Sequence, residues 1–357
     1  MAGGSRDGAA APRRGRTAPS ALVRSPWVPY LLLLPAFLLY AGFALFPLAR
    51  AVQYSLYDWT GLGPATFVGL DNYVDLAGDD TFRAAIGHAL VLIIFYALLP
   101  LVIGLILAAI LRRGQVRGMA FFRTIIFLPQ VIALVVIAVA WKQIYSPNGP
   151  LNQLLGAVGL DSLARGWLGE PGSALPAVGL IGTWLEMGLV MLLLLAGMSR
   201  IPDDLYEAAR LDGAGPVREF FAITLPAVRG EIAAALVLTI IAALKTFDLV
   251  YLTTSGGPGT ATVVPSYEVY RRAFELKDVG SASAVAIVLT AIVFAINLGV
   301  LRIGESREDR RGRDRVEEAD AEARATPRRD VAAPPAQGQA VPAAGQAAPA
   351  AGQEVTR

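Results

Sequence analysis

The side chains that could do chemistry in this chain of 357 residues are few, and their scarcity excludes several kinds of site. The chain has no cysteine, which excludes disulfides, thiolate nucleophiles and cysteine-bound metal. Its one histidine, His88, leaves no material for a histidine metal cluster or a Ser-His-Asp triad. None of the lysines, Lys142, Lys245 and Lys277, follows a glycine, so a phosphate-binding GK[ST] loop is absent. We therefore predict that the chain does not hydrolyse a nucleotide by itself.

Three charged side chains stand inside long apolar stretches, where a charge is costly and is by default a functional candidate. Glu186 lies near the middle of one stretch, in which Trp184 offers an aromatic face. Lys245 and Asp248 lie in another stretch, three residues apart, at positions that could pair on one helix. A structural ion pair near the end of that helix stays open as the alternative interpretation of these two residues.

The stretch that holds Lys245 also carries small and mildly polar residues at the spacing of one helical face. They are Thr239, Ala242, Ala243 and Thr246. Such a stripe suits a polar contact surface, and it equally suits close packing of membrane helices. Both interpretations stay open from the residues alone.

Elements long and apolar enough to cross a membrane must position these residues. Hydrophobic residues make up 55% of the chain and charged residues 17%, with a mean hydropathy of +0.52. A soluble domain carries roughly 25% charge. The apolar residues gather into blocks of about twenty, the length that a helix needs to cross the hydrocarbon core. The sequence predicts an all-α membrane protein, a six-transmembrane-helix bundle in membrane lipid, with spans at about residues 28–49, 87–111, 121–141, 176–198, 231–253 and 281–301.

Basic residues are concentrated in alternate connections between these spans. The N-terminal stretch, the second and fourth connections and the stretch that follows the last span are richer in arginine than the other three connections. By the positive-inside rule, both termini are predicted to be cytoplasmic. The tails, 1–27 and 303–357, flank the predicted membrane domain, 28–302. Their Ala, Gly, Pro and charged residues predict that both are disordered.

The fourth connection, 199–230, has the pattern of two short helices joined by a turn. Pro202 suits the first position of a helix that Gly213 ends, and Pro216 opens a second helix. The apolar set of this cytoplasmic helix-turn-helix is Tyr206, Leu211, Phe220 and Phe221. Such a surface could fill a groove on a partner. An amphipathic helix pair lying at the membrane interface is the alternative.

The same connection resembles a known motif. Glu207-Ala208-Ala209 is followed after three residues by Gly213 and after nine more by Ile223-Thr224-Leu225-Pro226. This spacing resembles the EAA motif of the membrane subunits of binding-protein-dependent ABC importers. Further segments are similar to the carbohydrate branch, the maltose and glycerol-3-phosphate type permeases. They are Phe67-Val68-Gly69-Leu70-Asp71-Asn72-Tyr73, Phe122-Arg123-Thr124 with Phe127-Leu128-Pro129, Trp141 with Ile144-Tyr145, and Phe247-Asp248-Leu249 with Ser255-Gly256-Gly257-Pro258-Gly259.

The resemblance, which covers about residues 27 to 302, implies a type I ABC importer permease fold. It also implies that 199–230 is a coupling loop that docks in a cleft of a separate ATPase, where a basic group would hold Glu207. The coupling residues that it implies are Glu207, Ala208, Ala209, Asp212, Gly213, Ile223, Leu225 and Pro226. The implied partners are a second homologous permease subunit, two cytoplasmic ATPase subunits and an extracytoplasmic solute-binding protein, with no nucleic acid. ATP and Mg would be used by the ATPase, and this chain would bind no cofactor or metal.

Sugar-transporting relatives line their path with the helices that flank the EAA loop, so the resemblance also implies path residues. They are Trp184, Glu186, Thr239, Ala242, Ala243, Lys245, Thr246 and Asp248. There the carboxylate of Glu186 could accept hydrogen bonds from sugar hydroxyls and Trp184 could stack on a sugar ring. We expect a permease subunit in a prokaryotic cell membrane that forms half of the translocation path for a sugar or sugar derivative.

Other classes of protein fit the sequence less well. A permease for a non-sugar solute such as a polyol phosphate keeps the EAA loop and stays open. An ion-coupled secondary carrier commonly shows inverted repeats, which are not evident here, and would leave the EAA loop unexplained. An intramembrane enzyme would need a catalytic pair or metal site that the residues do not supply. A structural anchor would not need a charged span or the glycine-rich stretch 255–259.

Overall fold

A computed structural model describes residues 27–113 and 118–304 of the chain. Within these ranges the protein is almost wholly helical, apart from a hairpin of two short antiparallel strands, β1 (Tyr57–Asp58) and β2 (Thr66–Phe67). The α-helices in chain order are α1 (Val28–Tyr40), α2 (Phe46–Tyr54), α3 (Asp71–Gly78), α4 (Asp80–Ile93), α5 (Leu99–Arg113), α6 (Met119–Phe127), α7 (Leu134–Ile144), α8 (Pro150–Ala157), α9 (Pro171–Met198), α10 (Asp203–Leu211), α11 (Pro216–Glu219), α12 (Leu225–Ala227), α13 (Arg229–Leu244), α14 (Asp248–Thr253), α15 (Pro265–Tyr270) and α16 (Val279–Gly304). The predicted disordered tails fall outside the described residues except at their innermost positions.

Helices of membrane-spanning length and hydropathy make up most of the fold. In the described ranges four stretches qualify, and six do if two bent pairs each count as one span. The four are Tyr30–Tyr54, Asp80–Arg112, Pro171–Met198 and Val279–Arg302. Five-residue π turns join α1 to α2 and α4 to α5, so that each pair runs on as one helix. Because hydrocarbon cannot satisfy free backbone groups, such apolar segments adopt helices.

The third predicted span, 121–141, is not a straight helix. A 3-10 turn at Leu128–Val131 separates α6 from α7, and the two parts are bent by 99°. Pro129 lies in that turn and has no backbone N–H to donate, and Ile132 is extended, with φ −78° and ψ 136°. The stretch predicted as the third span, 121–141, therefore consists of two helices that meet at a sharp bend.

The fifth predicted span, 231–253, is also interrupted. α13 ends at Leu244 and α14 begins at Asp248, with Phe247 between them at φ −123° and ψ −56°. The Ser266 hydroxyl donates to the Thr246 carbonyl at 2.5 Å, so a side chain from α15 reaches the backbone at this break. Residues on either side of the break do not share one helical face.

α9 lies at the centre of the bundle, packed against α5, α6 and α13. Its glycines permit close approach of its neighbours. A Cβ on Gly182 would lie 2.1 Å from the Tyr96 ring, and a Cβ on Gly188 would lie 2.5 Å from the Ile126 carbonyl oxygen. These contacts bring the π turn of the second span and the bend of the third span against the middle of α9.

The loop after α2 is fastened to the start of α16. The Asn72 amide donates to the carbonyls of Ser55 and Tyr57 at 2.9 and 3.0 Å. The Val279 N–H donates to the Trp59 carbonyl at 2.9 Å, and Gly280 leaves room for the Tyr57 carbonyl, which would lie 2.0 Å from a Cβ there. The Asn in the stretch 67–73 therefore organises a loop that joins the first span to the last.

Candidate functional site

The segment 199–230 folds as two short helices around a tight turn. α10 begins at Asp203, and Pro202 precedes the helix with ψ 138°, so the prediction that Pro202 is the first helical residue is wrong. Its extended ψ is incompatible with a helical turn. Gly213 has φ +78°, and the Ala214 N–H donates to the Ala209 carbonyl at 2.8 Å. This left-handed closure, which favours glycine, ends the first helix.

The residues implied for coupling divide into an outward and an inward group. Glu207, Ala208, Asp212 and Gly213 are exposed, on α10 and the turn that follows it. The remaining four are half-buried, and they are Ala209, Ile223, Leu225 and Pro226. The exposed group presents a carboxylate beside small residues, an arrangement that a partner surface can approach closely.

The predicted apolar set of this segment does not form one surface. Tyr206 is buried against the bundle and shares a hydrogen bond of 2.8 Å with the Thr224 hydroxyl. Leu211 is 90% exposed and Phe221 is 61% exposed. Tyr206 and Leu211 are five residues apart, which places them on widely separated faces of a helix with 3.6 residues per turn. The prediction of a single set is wrong.

An anchor of the segment that sequence reasoning missed is Arg112, near the end of α5. Its guanidinium contacts the connection after α9 and the start of α10, and it lies over the Tyr206 ring. Beside it lies a groove of about 670 Å³ that Ile110, Val217 and Glu207 help to line. In the sequence Arg112 is one of several arginines that serve the positive-inside rule, and no spacing distinguishes it.

A cavity of about 330 Å³ opens in the membrane-spanning part of the bundle. Five of the eight implied path residues line it, and they are Glu186, Ala242, Lys245, Thr246 and Asp248. The Gln130 amide donates to the Glu186 carboxylate at 3.4 Å, and the Tyr96 and Thr246 hydroxyls are 3.2 Å apart. Gln130 and Tyr96 were missed, although each is a polar group inside an apolar span.

Three implied path residues lie outside this cavity. The Thr239 hydroxyl is buried and donates to the Ala235 carbonyl at 2.8 Å, and Ala243 is buried in the core. Trp184 packs against Trp141, with ring centroids 5.7 Å apart. The stripe fails because α13 ends at Leu244, so Thr246 is no longer on the face that carries Thr239. Trp184, Thr239 and Ala243 therefore do not line this cavity.

Lys245 and Asp248 do not pair in the described part of the chain. Both side chains are exposed at the edge of the cavity, and the helix break lies between them. The i, i+3 relation that brings charges together holds only along a continuous helix. The two charges are thus left facing the open side of the cavity.

A charged network at the far end of α4 was also missed. Asp79 caps that helix by accepting hydrogen bonds from the Thr81 and Phe82 N–H groups at 2.7 and 3.1 Å, and it pairs with Arg272. Arg272 also contacts the buried Glu268 at 3.1 Å. Burial alone would raise the pKa of Asp79, but hydrogen bonds from Phe82 and Arg272 outweigh it and hold that pKa below its ordinary value.

Comparison with known proteins gives consistent matches. Residues 100–306 match the family described as binding-protein-dependent transport system inner membrane component. The chain is 42% identical over 278 residues to the probable ABC transporter permease protein YurN of Bacillus subtilis (strain 168), covering 76% of this chain and 94% of that protein. It is 36% identical over 267 residues to the diacetylchitobiose uptake system permease protein NgcF of Streptomyces coelicolor, covering 71% and 76%.

A solved structure matches as well. It is the crystal structure of a bacterial alginate ABC transporter in complex with an alginate pentasaccharide-bound periplasmic protein. One chain of it superposes with a TM-score of 0.66 at 27% identity, covering 78% of this chain and 96% of that one. The family match, residues 100–306, includes the exposed segment and all the residues that line the cavity except Tyr96.

Proposed function

The chain belongs to the family of binding-protein-dependent transport system inner membrane components, and we propose that its solute is a sugar or sugar derivative. As a member, it is a multi-pass helical membrane protein and a permease subunit of an ABC importer, separate from the ATPase. The relatives named for diacetylchitobiose and alginate support the proposed class of solute.

One observation carries the proposed mechanism. The segment with exposed Glu207 leads directly into α13, and the other end of the same helix borders the charged cavity. We propose that an ATPase subunit binds the segment around Glu207 and Gly213 and that its movement, carried by α13, changes access to the cavity. ATP and Mg²⁺ would be bound by two such ATPase subunits and not by this chain.

The cavity supports a path that is shared with a second subunit. Lys245 and Asp248 are exposed at its open side, so this chain alone does not enclose a solute. A second homologous permease subunit would complete the walls, and an extracytoplasmic binding protein would deliver the solute. Hydroxyl groups of a sugar suit the carboxylate of Glu186 and the hydroxyls of Tyr96 and Thr246.

The solute class is tested by reconstituting the chain with its partner permease, ATPase and binding protein in liposomes. Diacetylchitobiose, maltose, an alginate oligosaccharide and sn-glycerol 3-phosphate are offered as probes. We expect one of the sugars to raise the melting temperature of the binding protein and to drive ATP-dependent uptake. A response to sn-glycerol 3-phosphate alone would indicate that the solute is a polyol phosphate and not a sugar. Uptake without the ATPase would overturn the mechanism.

The orientation is a further part of the proposal, with both termini and the segment 199–230 in the cytoplasm. Because the chain has no cysteine, single cysteines can report it. Leu211 and Leu62 are 90% and 82% exposed, the first at the end of α10 and the second between β1 and β2. A membrane-impermeant maleimide should label Leu62→Cys from outside, and Leu211→Cys only in inverted vesicles. The reverse labelling pattern would show that the orientation in the membrane is opposite to the one proposed.

A further inference from the structure

The Arg112 side chain makes several contacts with a distant part of the chain, although it lies near the end of a helix. Its side chain is 17% exposed, although it lies one residue from the end of α5. Nη2 donates to the Ile201 carbonyl at 2.9 Å and to Asp203 Oδ1 at 3.3 Å. The guanidinium carbon lies 4.3 Å from the centroid of the Tyr206 ring. One side chain therefore contacts three residues from another part of the chain.

All three contacted residues lie in the segment 199–230, on the N-terminal side of Glu207. Ile201 lies in the connection after α9, and Asp203 and Tyr206 lie on α10. Within the segment, the Tyr206 hydroxyl bonds to Thr224, and Arg210 pairs with Glu219 at 3.0 Å. These bonds join α10 to the chain that follows the turn. Arg112 thus connects α10, and the chain bonded to it, to the second span.

The second span, α4 and α5, also touches the other parts of the proposed machinery. Near its middle the Tyr96 hydroxyl lies 3.2 Å from the Thr246 hydroxyl at the wall of the cavity. At its far end the cap Asp79 is paired with Arg272. α9 and α13 are joined to the segment through the backbone. The second span is joined to it through side-chain contacts, including those that the Arg112 side chain makes.

We propose that Arg112 is a positioning residue that makes the segment 199–230 and the second span move together. Displacement of the segment would then reach the cavity through Tyr96 as well as through α13. The inference rests on the proposed coupling function of the segment. Arginine suits the task because its planar guanidinium donates in its plane and packs on an aromatic ring with its face, which a lysine ammonium does not do.

The test compares Arg112→Gln and Arg112→Lys in the full reconstituted transporter. We expect Arg112→Gln to leave the amount of copurified ATPase unchanged, because exposed Glu207 is untouched. The ATP hydrolysed per solute imported should rise at least about fivefold, because the segment would move without the second span. For Arg112→Lys the ATP hydrolysed per solute should lie between the values of the unmodified protein and Arg112→Gln, since lysine keeps the charge but loses the stacking on Tyr206. The matched control is Arg200→Gln, which removes a 78% exposed arginine of the same segment and should change the ratio less than twofold.

A distance measurement keeps the inference testable if Arg112→Gln does not assemble. Ile110→Cys and Val217→Cys, both exposed, place spin labels on α5 and α11 in a chain that has no other cysteine. With cysteine-free partners, the interlabel distance should be the same in the nucleotide-free and ATP-bound transporter. A difference of more than about 3 Å, well outside rigid-body behaviour, would show that the two parts move separately and would overturn the inference.

The outcomes separate this inference from the proposed function. If Glu207→Lys leaves ATPase binding and uptake intact, the coupling function of the segment fails, and the inference fails with it. If Glu207→Lys abolishes uptake while Arg112→Gln keeps the wild-type ratio of ATP to solute, the coupling function stands and only the role of Arg112 fails. If the ratio of ATP to solute rises in Arg112→Gln but not in Arg200→Gln, and Glu207→Lys abolishes uptake, both the coupling function and the role of Arg112 are supported.

Discussion

The exposed segment and the membrane cavity are built in opposite ways. The residues of the segment that matter for the proposal, from Glu207 to Pro226, are close in sequence, and their order along two short helices decides which are exposed. The cavity collects side chains from Tyr96 to Leu249, which belong to several spans. The first is a local structure presented to a partner, and the second exists only after the spans have packed.

This difference predicts different consequences of substitution. In the segment, a change at Glu207 or Gly213 should alter association with the ATPase while leaving the bundle intact. In the cavity, a change should alter uptake of the solute while the ATPase stays bound. Measuring copurified ATPase and uptake in the same preparation therefore distinguishes the two regions.

The largest effect is expected for Glu207→Lys. Reversing this exposed charge should oppose docking on a basic group, and loss of one member of a charge pair at an interface typically costs about 2–5 kcal/mol. We expect ATPase copurification and uptake to fall by roughly thirtyfold or more, since about 1.4 kcal/mol is tenfold. The control Glu275→Lys makes the same change at an exposed glutamate outside the segment and should act less than twofold. Equal losses in the two variants would remove the special role of Glu207.

A smaller effect, on uptake alone, is expected for Glu186→Ala. Removing a carboxylate that binds solute hydroxyls loses hydrogen bonds to a charged group, which contribute about 1.5–3 kcal/mol. Uptake at low solute concentration should fall about tenfold, with copurified ATPase unchanged. Thr239→Ser is the control, because this hydroxyl is buried outside the cavity. Unchanged uptake kinetics in Glu186→Ala would make the cavity a packing defect rather than a path.

The turn of the segment offers a pair of glycines for comparison. Gly213 has φ +78°, a left-handed conformation that costs an L-residue roughly 1–2 kcal/mol, whereas Gly215 has φ −80°. Neither position has a heavy atom within 4 Å of an added Cβ. Gly213→Ala should lower coupled uptake about fivefold and Gly215→Ala should not, as measured by ATPase copurification and uptake. Similar values for both variants would show that the turn conformation does not matter for docking.

The smallest effect is expected at the N-terminal end of α4, for Asp79→Asn. Asparagine keeps the helix cap but loses the charge that pairs with Arg272. The folded-state pKa of Asp79 is lowered, so its stabilisation is present above the unfolded value of about 3.9 and is lost as pH falls through the folded value. We expect a melting temperature about 2 °C lower at neutral pH, with the difference disappearing in acid.

Asp80→Asn is the matched control for that measurement. The Asp80 side chain is 95% exposed in its pair with Arg83, and exposed pairs contribute little. Its melting temperature should match that of the unmodified protein at every pH. If the two variants behave alike, Asp79 is no more than a surface charge.

Much of the segment was predictable because its determinants are local. The positions of Pro202, Gly213 and Pro216 predict two short helices around a glycine turn, and the structure has both helices. The error at Pro202 concerns one residue at a helix start, where φ alone does not decide whether the helix has begun. The predicted grouping of Tyr206 with Leu211 failed because two residues five positions apart on α10 do not share a helical face.

Less of the cavity was predictable. Glu186, Lys245 and Asp248 were identified because charge is rare in an apolar span, and all three line it. The stripe from Thr239 to Thr246 was extrapolated across a helix that ends at Leu244. Gln130 and Tyr96 reach Glu186 and Thr246 through packing between spans, in which glycines of α9 give room to Tyr96 and to Ile126.

The sequence by itself determined that this chain has segments long and apolar enough to cross a membrane, that it has no GK[ST] phosphate-binding loop, and that it carries an EAA-like segment. Those properties follow from composition, periodicity and short-range spacing, which act within a turn or two of helix. The tertiary structure alone decided where the third and fifth spans break, which polar residues meet in the cavity, and that Arg112 fastens α10 to the second span. Such features depend on contacts between residues far apart in the chain, and helix packing is what brings them together.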